Sequence, residues 1–194
     1  MDKVFIFLTT GFEEIEALVT MNILRRGGTN IQSVSLTGER AVTGGRQITV
    51  MADCLFEDVD FADAQMLILP GGPGTGKMNE HEGLKQVIRS FALQGKLLAA
   101  ICAAPMVLGG LGLLHNKKAT CYPGYEKYLT GAQITEAPVI VDENITTGRA
   151  AGNTFDFALE LLSQLKGKEA VEEMERKILL KSESGDATYV ASVP

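Results

Sequence analysis

Leu97-Leu98-Ala99-Ala100-Ile101-Cys102-Ala103-Ala104-Pro105 is the stretch on which the fold turns. Its first five residues are apolar and read as a strand buried in a sheet. Pro105 suits the first turn of a helix, where a missing N–H costs nothing. The stretch is therefore a strand–turn–helix with a thiol at the bend. At that bend Cys102 sits at a helix N-terminus, where unpaired N–H groups and the macrodipole favour its anionic form. The pattern follows a nucleophile elbow, with Ala100 and Ala104 where that motif carries glycines. A buried cysteine is also a common inert hydrophobe, so the elbow needs support from elsewhere in the chain.

Working outward, residues 66–69 (MLIL) form a second buried strand that runs into Pro70-Gly71-Gly72-Pro73-Gly74-Thr75-Gly76. Glycines there let backbone N–H groups approach a ligand or a developing anion. This is no phosphate loop, because Gly76-Lys77 is followed by Met78 rather than Ser or Thr. It is no dinucleotide fingerprint either: glycines 72, 74 and 76 lack its spacing and follow an internal strand. Residues 82–94 read as an amphipathic helix carrying Leu84, Val87, Ile88 and Phe91 on one stripe.

At the start, residues 3–9 (KVFIFLT) are a continuous apolar run typical of a strand buried on both faces. Gly11 breaks it, residues 13–26 follow helical spacing, and Gly27-Gly28 stops them. Glu13 and Glu14 read as charges complementing a helix N-terminus. Glu16 differs, lying three residues before Val19 and seven before Ile23, on the apolar side of the helix. A carboxyl there is buried with a partner and a raised pKa, or it reaches back to the surface.

Residues 30–37 alternate as a strand, 42–50 read as a hairpin around Gly44-Gly45, and 53–63 as an acidic connecting loop holding Cys54 as a bystander. Beyond the elbow, 118–121, 139–141 and 145–147 are short strands. Asn153 is expected to cap a helix, with Asp156 completing a capping-box-like pair. Phe155, Ala158, Leu159, Leu162 and Leu165 are that helix's expected core stripe. Gly167 stops it and residues 169–180 make a last helix. By composition, 182–194 (SESGDATYVASVP) are a flexible C-terminal extension, leaving 1–181 as a single α/β domain.

The 194 residues suffice for one full core. The net charge of −6 argues against a nucleic-acid partner, and no apolar run approaches the ~20 residues that span a bilayer. Three cysteines without a CxxC spacing point to a reducing, cytoplasmic compartment. His81 and His115, both expected to be solvated, are too few and too far from the cysteines for a metal site. Alternating strands and helices give a mostly parallel sheet covered on both faces. Sites in such sheets lie beyond the C-terminal strand ends. Residues 11–16, the glycine loop and Cys102 all fall at such ends, and that convergence makes the thiol functional.

Gly11-Phe12-Glu13-Glu14-Ile15-Glu16, Leu69-Pro70-Gly71-Gly72 and Ala100-Ile101-Cys102-Ala103-Ala104-Pro105, in this order, resemble the ThiJ/PfpI superfamily. Within it they resemble the branch of the parkinsonism-associated deglycase and its bacterial relatives. The resemblance runs from the first strand to about Leu180. It implies a flavodoxin-like three-layer sandwich and a homodimer. It implies that Cys102 is the reactive thiol, that Glu16 is its protonated carboxyl partner, and that the N–H groups of Gly72 and Ala103 form an oxyanion pocket. It further implies glyoxalase- or deglycase-type chemistry, without cofactor or metal, on methylglyoxal or glycated adducts. The alternative it leaves is a redox-sensing or chaperone-like protein that uses oxidation of Cys102. Two positions depart from the superfamily's patterns. Tyr122 stands where some members place a histidine near the thiol, and tyrosine is a poor base near neutral pH. Ala103 stands where the protease-like branch has histidine, which disfavours a peptidase or amidotransferase-like hydrolase.

Overall fold

A computed structural model describes residues 3–180, so the extension expected over 182–194 lies outside the described residues. The main sheet is built on β1 (Lys3–Leu8), β2 (Asn30–Ser35), β5 (Cys54–Leu55), β6 (Ala64–Leu69), β7 (Leu97–Ile101), β10 (Val139–Asp142) and β11 (Ile145–Gly148). Two small pairs stand apart from it: β3 (Ala41–Thr43) with β4 (Thr49–Met51), and β8 (Lys118–Ala119) with β9 (Gln133–Ile134). The helices are α1 (Glu14–Arg26), α2 (Thr75–Glu80), α3 (Glu82–Leu93), α4 (Pro105–Gly110), α5 (Thr154–Lys166) and α6 (Lys168–Lys177).

The sheet runs β10-β11-β7-β6-β1-β2-β5. Every neighbouring pair is parallel except β10 with β11. The period of two along each strand separates two cores. Val4, Ile6 and Leu8 of β1 join one apolar cluster with α1 and α5, while Phe5 and Phe7 join another with α3 and α4. β6 divides the same way, Met66 and Ile68 against Leu67 and Leu69. These runs are continuously apolar because both faces are covered, which is the three-layer sandwich read from the sequence. Among the described residues no helix is long and apolar enough to cross a membrane.

Strand order reverses between β1 and β6: the chain moves from β1 outward to β2, then returns to β6 and continues to β7. Crevices in open α/β sheets form at such a switch point, beyond the C-terminal strand ends. The loops after β1, β6 and β7 meet there. The Gly74 N–H donates to the Gly11 carbonyl at 2.8 Å, and the Glu13 N–H to the Gly71 carbonyl at 2.9 Å.

Several local expectations are corrected. The glycine-rich loop is shorter than read, because Thr75–Glu80 turns into α2. Cys54, partly exposed, lies on the edge strand β5 rather than in a loop, its thiol directed at the Ser33 carbonyl. Asn153 makes no capping bond; Ala151–Asn153 wind into a 3₁₀ turn and Thr154 Oγ1 bonds the Ala151 carbonyl instead. Ala158, Leu159 and Leu162 face inward as expected, joined by Phe157 and Leu161, but Phe155 points outward at 42% exposure. His81 is half-buried, packs edge-on against Phe56, and caps α3 by accepting the Leu84 N–H.

A Cβ at Gly74 would lie 2.2 Å from the Thr10 carbonyl oxygen, a backbone atom that has nowhere to go. Gly74→Ala is expected to cost about 1–3 kcal/mol by overpacking, read as a lowered urea midpoint with unchanged slope. An unaltered midpoint would mean that the two loops are not packed as described.

Candidate active site

Glu13 ends the loop after β1 as the cap of α1, its Oε2 accepting the Glu16 N–H at 2.8 Å. This sets Glu16 in the first helical turn with its side chain facing inward, and it has no exposed surface. Its Oε2 accepts the Gly71 N–H at 2.7 Å. Its Oε1 is buried without a hydrogen-bond partner of ordinary geometry. The polar side chain that interacts with this carboxyl is the Cys102 thiol.

Cys102 occupies the bend between β7 and α4 with φ +64°, a left-handed conformation that costs a non-glycine residue about 1 kcal/mol or more. Two backbone bonds hold it there. Its N–H donates to the Gly148 carbonyl at 2.9 Å, and its carbonyl accepts the Tyr122 N–H at 2.8 Å. The N–H groups of Gly72 and Ala103 both act on the sulfur. Gly71 makes the approach possible: a Cβ there would sit 2.8 Å from Cys102 Cβ and 2.9 Å from Glu16 Oε2. Gly72, at φ +105°, leaves no room either, with Glu13 N and the Gly11 carbonyl oxygen each 2.5 Å from a Cβ.

Burial raises the Glu16 carboxyl from its usual 4.5 to about 7, against the lowering effect of the Gly71 N–H and the thiol. The thiol departs from the sequence reading, which expected it to be lowered. Burial drives it up, followed by the charge of Glu16 and the hydrogen bond to it; the Ala103 and Gly72 N–H groups pull down. The helix behind it has only six residues, too short for its macrodipole to outweigh desolvation. Moving one proton onto Glu16 removes the charge that opposes the thiolate, so carboxyl and thiol act as one unit.

The pair opens into a cavity of about 670 Å³ that Gly72, Ala103, Tyr122, Tyr125 and Arg46 also line. The structure thus brings Cys102, Glu16, Gly72, Ala103 and Tyr122 together. Gly71, Arg46 and Tyr125 are site residues that sequence reading did not single out. Glu14 lies in the first turn of α1 as expected and is also buried, its Oε1 accepting the Arg46 N–H at 2.5 Å and tying the β3–β4 turn to α1. Among the described residues no cluster of three or more His, Cys, Asp or Glu is placed to hold a metal.

The DJ-1/PfpI family model matches residues 2–164. The chain belongs to that family. Members similar to it include the Arabidopsis thaliana protein DJ-1 homolog B, 36% identical over 95% of this chain and 43% of its own length. The chain therefore spans less than half of that relative. The crystal structure of Drosophila melanogaster DJ-1beta superposes with a TM-score of 0.89 at 32% identity, covering 93% of this chain and 99% of the other. Two further members carry functional names. A glutathione-independent glyoxalase of Caenorhabditis elegans is 28% identical over 87% of this chain and 90% of its own length. A deglycase of Pyrococcus abyssi is 28% identical over 84% of this chain and 99% of its own length.

Between pH 4.5 and about 7 the folded chain holds a proton on Glu16 that the unfolded chain releases. Stability from this group is therefore greatest below pH 4.5 and declines as pH rises through 7. The gap amounts to about 3 kcal/mol. Glu16→Gln is expected to melt higher than wild type at pH 8 and to converge with it below pH 4.5. Parallel melting curves across that range would show that the carboxyl is not held neutral by burial.

Proposed function

We propose that this protein is a cysteine-dependent glyoxalase and deglycase-type enzyme acting on small 2-oxoaldehydes and their adducts, without cofactor or metal. The observation that carries this reading is the buried Glu16 carboxyl facing the Cys102 thiol beside two convergent N–H groups. The names of the nematode and archaeal relatives support the same class of chemistry.

The thiol proton passes to Glu16 and the thiolate adds to the aldehyde carbon, giving a hemithioacetal. The Gly72 and Ala103 N–H groups hold the oxygen that becomes negative. Glu16 gives its proton to that oxygen, takes the hydrogen from C1 as a proton to leave an enediolate, and returns it to C2, while the C1 hydroxyl proton passes to the C2 oxygen. C1 is oxidised to a thioester while C2 is reduced to a carbinol, so no outside oxidant is needed. Water cleaves the thioester, releasing the 2-hydroxy acid and the free thiol. A carboxyl raised to about 7 suits both giving and taking a proton at neutral pH. Tyr122 contributes its main-chain N–H to the elbow rather than a base.

A second reading, redox sensing or chaperone-like activity through oxidation of Cys102, is favoured by the same two N–H groups, which would hold a sulfinate oxygen. Mild peroxide followed by mass spectrometry separates the two, since a sensor requires Cys102 to oxidise before Cys54 and Cys121. Three free thiols favour a reducing, cytoplasmic setting. A homodimer is supported by exposed Ile15, Ile48 and Met51 around the α1 start and the β3–β4 hairpin. Ile48→Glu should shift the sedimentation coefficient from dimer to monomer, and an unchanged coefficient would place the interface elsewhere.

Lactate formation from methylglyoxal, with no added thiol or metal, is expected in wild type and absent in Cys102→Ala. Glu16→Gln should lower kcat by about 10²–10⁴, the range of general acid–base catalysis. Full turnover in either variant would remove that residue from the mechanism.

A further inference from the structure

We propose that Tyr122 and Tyr125 form a rigid aromatic shelf that makes the Cys102 site prefer 2-oxoaldehydes bearing a flat, apolar group, aryl glyoxals above methylglyoxal. This rests on the glyoxalase reading and names the substrate class for the same site.

The cavity of about 670 Å³ is of a size that takes drug-sized ligands, and a three-carbon dicarbonyl on Cys102 fills only a small part of it. One wall of the remaining space is aromatic. Tyr122-Pro123-Gly124-Tyr125 has the pattern of a type II turn, with proline second and a glycine at φ +93° third. The Tyr125 N–H closes it onto the Tyr122 carbonyl at 3.1 Å. The Gly124 N–H donates to Glu126 Oε2 at 2.7 Å, bracing the turn further. The Tyr122 N–H is bonded to the carbonyl of Cys102 itself, so the shelf is fixed relative to the reacting sulfur.

The two rings meet edge to face, 6.5 Å apart at 75°. Tyr125 is half-buried against the α3–α4 core and backed by Tyr128 at 5.8 Å. Tyr122 is left 47% exposed. An ordered, half-exposed ring beside a nucleophile offers stacking area at little entropic cost. Arg46 also lines the cavity, and among the described residues it forms no ion pair. It suits the carboxylate of the 2-hydroxy acid. Every such product carries that carboxylate, so discrimination between substrates falls to the shelf.

The chemistry balances as before: phenylglyoxal and water give mandelate, as methylglyoxal and water give lactate. Initial rates with both aldehydes are compared in wild type, Tyr122→Ala, Tyr122→Leu and Tyr122→Phe. The ratio of kcat/KM for phenylglyoxal to that for methylglyoxal is expected to fall about three- to tenfold in the Ala and Leu variants, the range that one aromatic contact supplies. Phe should restore it. Phe155→Ala, an exposed ring on α5 outside the cavity, should leave the ratio unchanged.

NMR titration of the Cys102→Ala protein with mandelate and lactate gives an arm independent of turnover. Mandelate should bind more tightly, and the difference should disappear in Cys102→Ala/Tyr122→Leu. Equal binding of the two acids, or an aldehyde ratio indifferent to Tyr122, overturns the proposal. If neither aldehyde is turned over yet mandelate keeps its Tyr122-dependent advantage, the glyoxalase reading fails and the shelf stands.

Discussion

A carboxyl with no exposed surface, held by one backbone N–H and turned toward a thiol, is the constraint on which this molecule depends. Glu16 accepts from Gly71 and faces Cys102. Neither group is stable there alone as an ion, because burial raises both. The charge of Glu16 opposes that of the thiolate, so the protonation of one bears on the other. That coupling explains why a helix with a charged start carries a third carboxyl on its apolar side, and why the loop after β6 places a glycine where any Cβ would wedge the pair apart.

The sheet serves this contact. Reversal of strand order between β1 and β6 opens the crevice, and backbone bonds then lace the loops across it, Gly11 to Gly74 and Glu13 to Gly71. The elbow is clamped from the far side by Gly148 and by Tyr122. Cys102 keeps its left-handed backbone because both of its peptide neighbours are over-determined. The resulting site is preorganised: the N–H groups, the carboxyl and the aromatic wall all rest on short loops pinned to parallel strands.

Electrostatics here is governed by burial more than by the helix. The sequence reading placed the thiol at a helix N-terminus and expected the macrodipole to lower it. A six-residue helix supplies little field, and desolvation prevails. The control of charge passes to the location of a proton on Glu16, a tertiary property that no local pattern encodes.

Much of the fold was legible because continuous apolar runs such as KVFIFLT and LLAAI suit only strands covered on both faces, and glycines mark where they stop. The same logic put Glu16 on an inward stripe and Cys102 at a strand end. What failed was local and depended on packing. Phe155 was expected in the core, but in the first turn of α5 it lies at the edge of the buried face, which Phe157 and Leu161 share with Ala158, Leu159 and Leu162. Glu14 takes its expected place at the helix start, but its burial against the β3–β4 turn comes from a contact that no local pattern encodes. By itself, then, the sequence determined the layers, the elbow and the candidate acid–thiol pair, since periodicity and strand ends are local. Only the tertiary structure decided that Gly71 donates to the buried Glu16, that burial raises the thiol, and that Arg46 and Tyr125 join the same cavity. Those depend on distances between loops that are far apart in the chain.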